Sequence, residues 1–265
     1  MASPADRPAL EPRTPGGDAA PRLFLAEVDA AHDALYEAQR GLLGDDERAR
    51  LDRLRIDAVR REGLVARLLV RHALSACRPR PPQDWRYARG AYGRPRALAA
   101  PGLAFSLSHC AGLVGCLVAP GGRAGLDLEV RGRETSELWT TYTLAADELA
   151  ALLALAPERR GDAFLRSWTL KEAYAKASGR GLRLPFGRIA FAPGADGAPR
   201  LQRNGAASPA WRFWSFGVDS GHVGAIALRS RRVGDEAIVV ETLPALPYRG
   251  AAAGRVLRPT DTFEV

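Results

Sequence analysis

The sequence predicts an α+β fold in two halves, each running from helix to strands. Helical periodicity marks two long segments, 57–76 and 161–179, with apolar positions spaced three and four apart. Short runs of alternating or β-branched residues follow each of them. A turn signal, Ala119-Pro-Gly-Gly122, separates the two series and sets the boundary between 21–120 and 121–229. A chain of 265 residues is long enough to bury a core in either one large domain or two modest ones.

The elements follow in order. Residues 1–20, rich in Pro, Ala and Gly, read as a disordered leader without the apolar stretch of a signal peptide. "RLFLAEVD" (Arg22 to Asp29) alternates as a short strand. From Asp45, "DDERARLDRL" places acids in a first helical turn and bases after it, as the helix dipole prefers. In the helix from Asp57 to Ala76, Val59, Leu64, Leu68 and Leu69 form the apolar side. Arg60, Arg61, Arg67 and Arg71 crowd the remainder, as either a solvated face or an anion-binding wall. Pro79, Pro81 and Pro82 end it. "WRYARGAYGRP" reads as a strand leading into a turn at Gly93. Residues 103–109 and 111–119 read as paired strands, and "RAGLDLEV" as the next. In the second half, "TLAADELAALLAL" and "GDAFLRSWTLKEAYAKASG" are helical, the latter stopped by Gly179. "GRIAFAP", "WRFWSFGVD" and "HVGAIALRS" are strands, and 230–265 forms a tail to which no role is assigned.

Thirty-eight Lys and Arg against 30 Asp and Glu leave a net charge of +8. That surplus favours an anionic partner: nucleic acid, a phosphate-bearing cofactor or an acidic protein. The arginines lack the interleaved aromatics of a single-strand platform, and no DNA-binding motif is present, so no specific nucleic-acid partner is expected. No apolar run approaches the roughly 20 residues of a bilayer span. Cys77, Cys110 and Cys116 have neither zinc nor disulfide-framework spacing, and read as reduced thiols of a cytoplasmic protein.

"GLDLEV" (Gly125 to Val130) carries the chemistry. On a strand, Leu126 and Leu128 face one side while Asp127 and Glu129 stand together on the other, where like charges are unfavourable. On the second long helix, Trp168, Glu172 and Lys176 share a stripe at i, i+4, i+8, with Lys171 beside it. Alone, that stripe is an ordinary Glu-to-Lys pair. With the strand acids, Glu172 would complete an oxygen-rich set suited to Mg²⁺ and a bound pyrophosphate, with Lys176 and Lys171 balancing charge. His109 in "FSLSHC" is the other candidate. Ser106, Ser108 and His109 cannot all face the same way on a strand. No G-x-S-x-G elbow, Walker loop, Rossmann fingerprint or HExxH motif is present.

Taken together, "GRP" (Gly93 to Pro95), "FSLSH", "GLDLE" and "WTLKEAYAKASGRGL", in this order, resemble the Sfp-like 4′-phosphopantetheinyl transferases over about Asp45 to Ala192. The resemblance implies a pseudo-dimer of two similar α/β subdomains with the active site in the cleft between them. It implies transfer of phosphopantetheine from coenzyme A to a serine of an apo acyl or peptidyl carrier protein, releasing adenosine 3′,5′-bisphosphate. Asp127, Glu129 and Glu172 would hold Mg²⁺, and Glu172 would take the serine proton. Lys176, with Lys171, would neutralise the pyrophosphate. Ser108 and His109 match a Ser-His pair whose histidine contacts the 3′-phosphate. Arg48, Arg61, Arg89 and Arg94 fall near basic positions around the nucleotide, with Arg94 where a lysine is usual. A monomer is expected, with no membrane partner. The rival reading is a non-catalytic carrier-protein or nucleotide binder of the same fold, against which the intact acid set counts.

Overall fold

The computed structural model describes residues 20–90, 93–133, 137–203, 206–229, 237–243, 246 and 255–257. The expected leader, apart from Ala20, lies outside the described residues, as does most of the tail. In chain order, β1 (Arg22–Glu27) precedes α1 (Asp33–Ala38), α2 (Asp45–Asp52) and α3 (Asp57–Cys77). The hairpin β2 (Tyr87–Arg89) and β3 (Pro95–Ala97) leads to β4 (Leu103–Cys110), β5 (Leu113–Pro120) and β6 (Arg123–Val130). Helices α4 (Glu137–Thr143), α5 (Ala146–Leu153) and α6 (Pro157–Ser178) come next. A small sheet follows, of β7 (Ile189–Pro193), β8 (Pro199–Arg203) and β9 (Ala206–Ala207). The chain closes with β10 (Arg212–Val218), β11 (His222–Arg229), β12 (Ile238–Leu243) and β13 (Arg255–Leu257).

Two main sheets result, one ordered β13-β12-β1-β5-β4 and the other β10-β11-β6. Helix α3 covers the outer face of the first, packing Val65, Leu68 and Leu69 on Phe24, Val114, Cys116 and Val118. Helix α6 covers the outer face of the second, packing Ala173, Tyr174 and Ala177 on Phe213, Ala225 and Ala227. Between the sheets lies a shared core of Leu23, Leu25, Leu117, Leu126, Leu128, Trp214 and Ile226. The layers therefore run helix, sheet, sheet, helix.

Both long helices end where their sequences require. Arg78 takes an extended conformation (φ −146°, ψ 132°) because Pro79 disfavours the helical region for the residue before it. Helix α6 starts with Pro157 and stops at Gly179, whose φ of +72° suits a residue without Cβ. Gly125 has a different reason. A Cβ there would lie 1.9 Å from the Ala173 carbonyl oxygen, so its absence lets the α6 backbone rest directly on β6.

The sequence leaves 230–265 without an element. In the structure, β12 pairs in parallel with β1, from Arg22↔Val239 to Ala26↔Leu243, and the buried Glu241 forms an ion pair with the partly exposed Arg22. The arginines of α3 divide. Arg60 and Arg61 pair with the nearby acids Asp57 and Asp33 on the surface, whereas Arg71 is buried, bonded to Glu47 and the Leu42 carbonyl. Among the described residues, no helix is long and apolar enough to cross a membrane.

Candidate active site

Strand periodicity and the close approach at Gly125 together build the site. Residues 125, 127 and 129 share the face of β6 turned to α6, so the two carboxylates meet the helix stripe. Trp168 Nε1 donates to Glu129 Oε1 at 2.8 Å. Two turns on, Lys176 Nζ donates to Asp127 Oδ1 at 2.7 Å. Glu172 lies between these contacts along the helix. The indole is fixed by a stacked Phe164 and an edge-on Phe186, so its N–H is aimed before any ligand arrives.

A seam between the two sheets completes the arrangement. Strand β6 is an edge of its sheet, and the Leu126 and Leu128 amides point away from β11. Ser106 Oγ accepts from Leu126 N–H at 3.0 Å and Ser108 Oγ from Leu128 N–H at 3.2 Å, satisfying an edge that would otherwise be open. Ser108 uses its full capacity: its hydroxyl also accepts from Lys176 Nζ at 3.0 Å and donates to Asp127 Oδ1 at 3.2 Å. His109, the next residue, turns the other way. It is half-exposed, with Nδ1 3.2 Å from Glu62 Oε2, while Glu62 Oε1 accepts from Gly112 N–H at 2.8 Å. Ser108, His109, Cys110, Asp127, Glu129, Arg133 and Lys176 line one pocket of about 320 Å³.

Two nearly buried carboxylates form this pocket's inner wall. Asp127 and Glu129 are only 6% and 8% exposed. Burial holds the Asp127 carboxyl above the usual carboxylate range despite Lys176, with Glu129 adding to the rise. Glu172 is pushed up to about 7, first by burial and then by the charge of Asp127, with Lys176 opposing. Asp127 Oδ2 is buried without a hydrogen-bond partner among the described residues. Three oxygen-donor acids, one with an unpartnered buried oxygen and one raised to about 7 by burial and then by its acidic neighbours, suit a hard divalent cation. They are not drawn together as a finished metal site: among the described residues no three His, Cys, Asp or Glu groups converge closely enough. Lys176 holds Asp127, and Arg133 holds Glu129 with Nη1 2.9 Å from both carboxylate oxygens.

The other expected residues are elsewhere. Lys171 does not face the pocket. It is 0% exposed and donates to the Thr143 carbonyl at 2.7 Å, to the Phe186 carbonyl at 3.0 Å and to Glu148. One residue from Glu172 on a helix means a turn of about 100°, which sends Lys171 towards α5 rather than the strand acids. Its place is a structural ion pair. Arg48 bonds the Leu43 carbonyl and Asp45, and Arg61 makes a two-point pair with Asp33, its Nη2 2.7 Å from Oδ2. Arg89 is exposed at the end of β2. Arg94 reaches the Ala177 carbonyl at the C-terminal end of α6 (3.2 Å) and the Ala124 carbonyl (3.5 Å). It lines a second cavity of about 670 Å³ with Arg96, Arg123 and Arg180. Arg133 and Glu62 escape the sequence reading. Arg133 carries one signal, its spacing of four from Glu129 across Gly132; Glu62 is 47 residues from His109 and carries none.

A family model described as the 4′-phosphopantetheinyl transferase superfamily matches residues 123–227, from the start of β6 almost to the end of β11. Among curated proteins, the chain is 32% identical to the 4′-phosphopantetheinyl transferase HetI of Nostoc over 192 residues, covering 70% of this chain and 78% of that one. It is 26% identical to the 4′-phosphopantetheinyl transferase Sfp of Bacillus subtilis over 159 residues, 60% of this chain and 70% of that one. A phosphopantetheinyl transferase from Thraustochytrium is 27% identical over 216 residues, 75% of this chain and 74% of that one. Given the span of the match to HetI and the matched motifs on β6 and α6, the chain belongs to the 4′-phosphopantetheinyl transferase superfamily.

Proposed function

We propose that this protein transfers the 4′-phosphopantetheine group of coenzyme A to a serine of an apo acyl or peptidyl carrier protein, releasing adenosine 3′,5′-bisphosphate. The observation that carries the reading is the line-up of Asp127, Glu129, Glu172 and Lys176 between β6 and α6, in a chain of this family. Each residue has a part suited to its surroundings. Glu172 is the base: a carboxyl titrating near 7 is half ionised at neutral pH and basic enough to accept the proton of the acceptor serine. Lys176 presents its ammonium, one-third exposed, to the pyrophosphate while remaining anchored to Ser108 and Asp127. His109 faces outward with Nδ1 against Glu62, leaving Nε2 for the 3′-phosphate.

Asp127, Glu129 and Glu172 would hold Mg²⁺. The orphaned Asp127 oxygen and the raised Glu172 carboxyl support this, and a cation would answer both. When bound, the ion supplies charge neutralisation at the pyrophosphate and at the leaving group. Arg94 is offered as a nucleotide contact from the cavity it lines with Arg123, Ser178 and Arg180. Arg48, Arg61 and Arg89 would need to leave their present surroundings to join it.

The helix–sheet–sheet–helix layers support a pseudo-dimer with halves 21–120 and 121–229 and the acids at their seam. Three free cysteines suit a reducing cytoplasm, and the protein is proposed to act there as a monomer. The test is intact mass spectrometry of an apo carrier incubated with the protein, coenzyme A and Mg²⁺. A gain of one phosphopantetheinyl group, lost with EDTA or in a carrier lacking its acceptor serine, is the expected result. No gain across fatty-acid, polyketide and peptide carriers by protein that binds coenzyme A would overturn the proposal in favour of a binder.

A further inference from the structure

Glu129 is held on two sides. From the core side, Trp168 Nε1 donates to Oε1 at 2.8 Å, and the Cys110 thiol lies 3.7 Å from Oε2. From the solvent side comes Arg133. Gly132, at φ +76°, turns the chain at the end of β6 so that Arg133 folds back over the acid four residues before it. Its Nη1 stands 2.9 Å from each carboxylate oxygen, and its side chain is 42% exposed against 11% for Glu129. Lys176 holds Asp127 differently: it also bonds Ser108, whose hydroxyl belongs to the seam between the sheets. One counter-cation is thus built into the framework. The other sits on a turn and covers the outer face of the carboxylate.

We propose that Arg133 is an internal competitor for the metal site: it pairs with Glu129 in place of a divalent cation, and the ion must displace it to use that carboxylate. The inference rests on the reading that these acids take a divalent cation. Several observations converge on it. Asp127 and Glu129 meet Lys176 and Trp168 on the stripe of α6 that also carries Glu172, yet no three acids converge as a finished site among the described residues. The group spanning both oxygens of Glu129 is Arg133. Its guanidinium offsets the charge of Glu129 from the solvent side. Arg133 is therefore a positioning residue that lowers affinity for free metal and keeps Glu129 in place. Trp168, rigid between its aromatic neighbours, retains its bond to Oε1 when the arginine leaves.

The experiment titrates the full chain with Mn²⁺ alone, a cation that prefers oxygen ligands as Mg²⁺ does, and reads free ion by electron paramagnetic resonance. Arg133→Gln removes the competitor. Arg131→Gln, two residues away, removes an equal charge that pairs with Asp162 instead, and so measures the through-space effect. Thermal melts confirm that each variant is folded. Arg133→Gln should bind Mn²⁺ about two- to five-fold more tightly than wild type, the range of a partly exposed ion pair. Arg131→Gln should change affinity much less, and Arg133→Lys should remain near wild type. Affinity in Arg133→Gln that is unchanged or weaker overturns the proposal, as does an equal gain in Arg131→Gln. If neither folded wild-type protein nor folded Arg133→Gln shows saturable Mn²⁺ binding, the three-acid metal reading itself fails, and the competitor role falls with it.

Discussion

Replacing Glu172 by Gln should make the protein more stable at pH 8 while removing its proposed base. The carboxyl titrates near 7 against an ordinary 4.5, chiefly through burial and then through the charge of Asp127. Between those two values the folded protein holds a proton that the unfolded chain has released. Stability therefore falls as pH rises through that window and stays reduced above it. At 1.36 kcal/mol per pKa unit, the shift amounts to about 3 kcal/mol at most. Glu172 keeps some solvent contact, which screens the effect and leaves about 1–3 kcal/mol. Gln has the same shape and no charge. Below about pH 4.5, where Glu is protonated in both states, the two proteins should melt together. At pH 8 the variant should melt about 2–12 °C higher, given ~2–4 °C per kcal/mol for a chain of this size. The assay is calorimetry of both proteins across pH 4.5–8 with EDTA present, because a bound cation would lower the carboxyl's pKa. Subtracting one profile from the other cancels groups that titrate alike in both, such as the remaining histidines. A difference that is flat with pH, or a variant less stable at pH 8 than at pH 5 relative to wild type, would refute the argument.

Three further predictions follow from the geometry. Gly125→Ala places a methyl 1.9 Å from the Ala173 carbonyl and must lift α6 from β6; a loss of about 2–4 kcal/mol in urea unfolding is expected, and a loss below ~1 would mean that the helix can shift freely. His109→Ala should weaken coenzyme A more than dephospho-coenzyme A in binding titrations; an equal ratio in wild type and variant would remove the 3′-phosphate contact. Lys171→Met leaves Glu148 buried without its cation, so thermal unfolding should show a loss of about 3–5 kcal/mol, largely recovered by adding Glu148→Gln. Transfer per folded molecule should survive in that double variant, and its loss would restore Lys171 to the pocket.

What the sequence makes legible here is local. Alternation alone puts Asp127 and Glu129 on one face of β6, and a period of 3.6 alone puts Trp168, Glu172 and Lys176 in one stripe on α6. The stop at Gly179 and the break before Pro79 are equally local. The same period also contains the answer for Lys171: it shares a side with Ala175, four residues on, and not with Glu172. Its grouping with the pyrophosphate lysine came from proximity in sequence and from the resemblance, and burial beside Glu148 overrides both. The pairings of Arg48 with Asp45 and Arg60 with Asp57 span three residues each and could have been anticipated. The parallel pairing of β12 with β1 could not, because it joins segments more than 200 residues apart and has no local signature. Glu62 beside His109 is hidden for the same reason.

The seam explains why a costly cluster of acids can persist in this fold. Ser106 and Ser108 close the open edge of β6, so the strand needs no further strand at that side. That leaves room for a pocket where a continuous sheet would otherwise run. Lys176 is drawn into the seam by Ser108 and neutralises Asp127, while Arg133 reaches Glu129 from the turn. With two cations for three carboxylates, one acid must carry the imbalance. The remaining one is Glu172, raised to about 7, the proposed base. Removing either cation would raise Glu172 further, whereas a divalent ion would draw it down. On this account the pH at which the base is ready depends on what occupies Asp127 and Glu129. A pH–rate profile of transfer measured at several Mg²⁺ concentrations should therefore shift its acid limb to lower pH as Mg²⁺ increases. An acid limb fixed across that series would separate the base from the metal site.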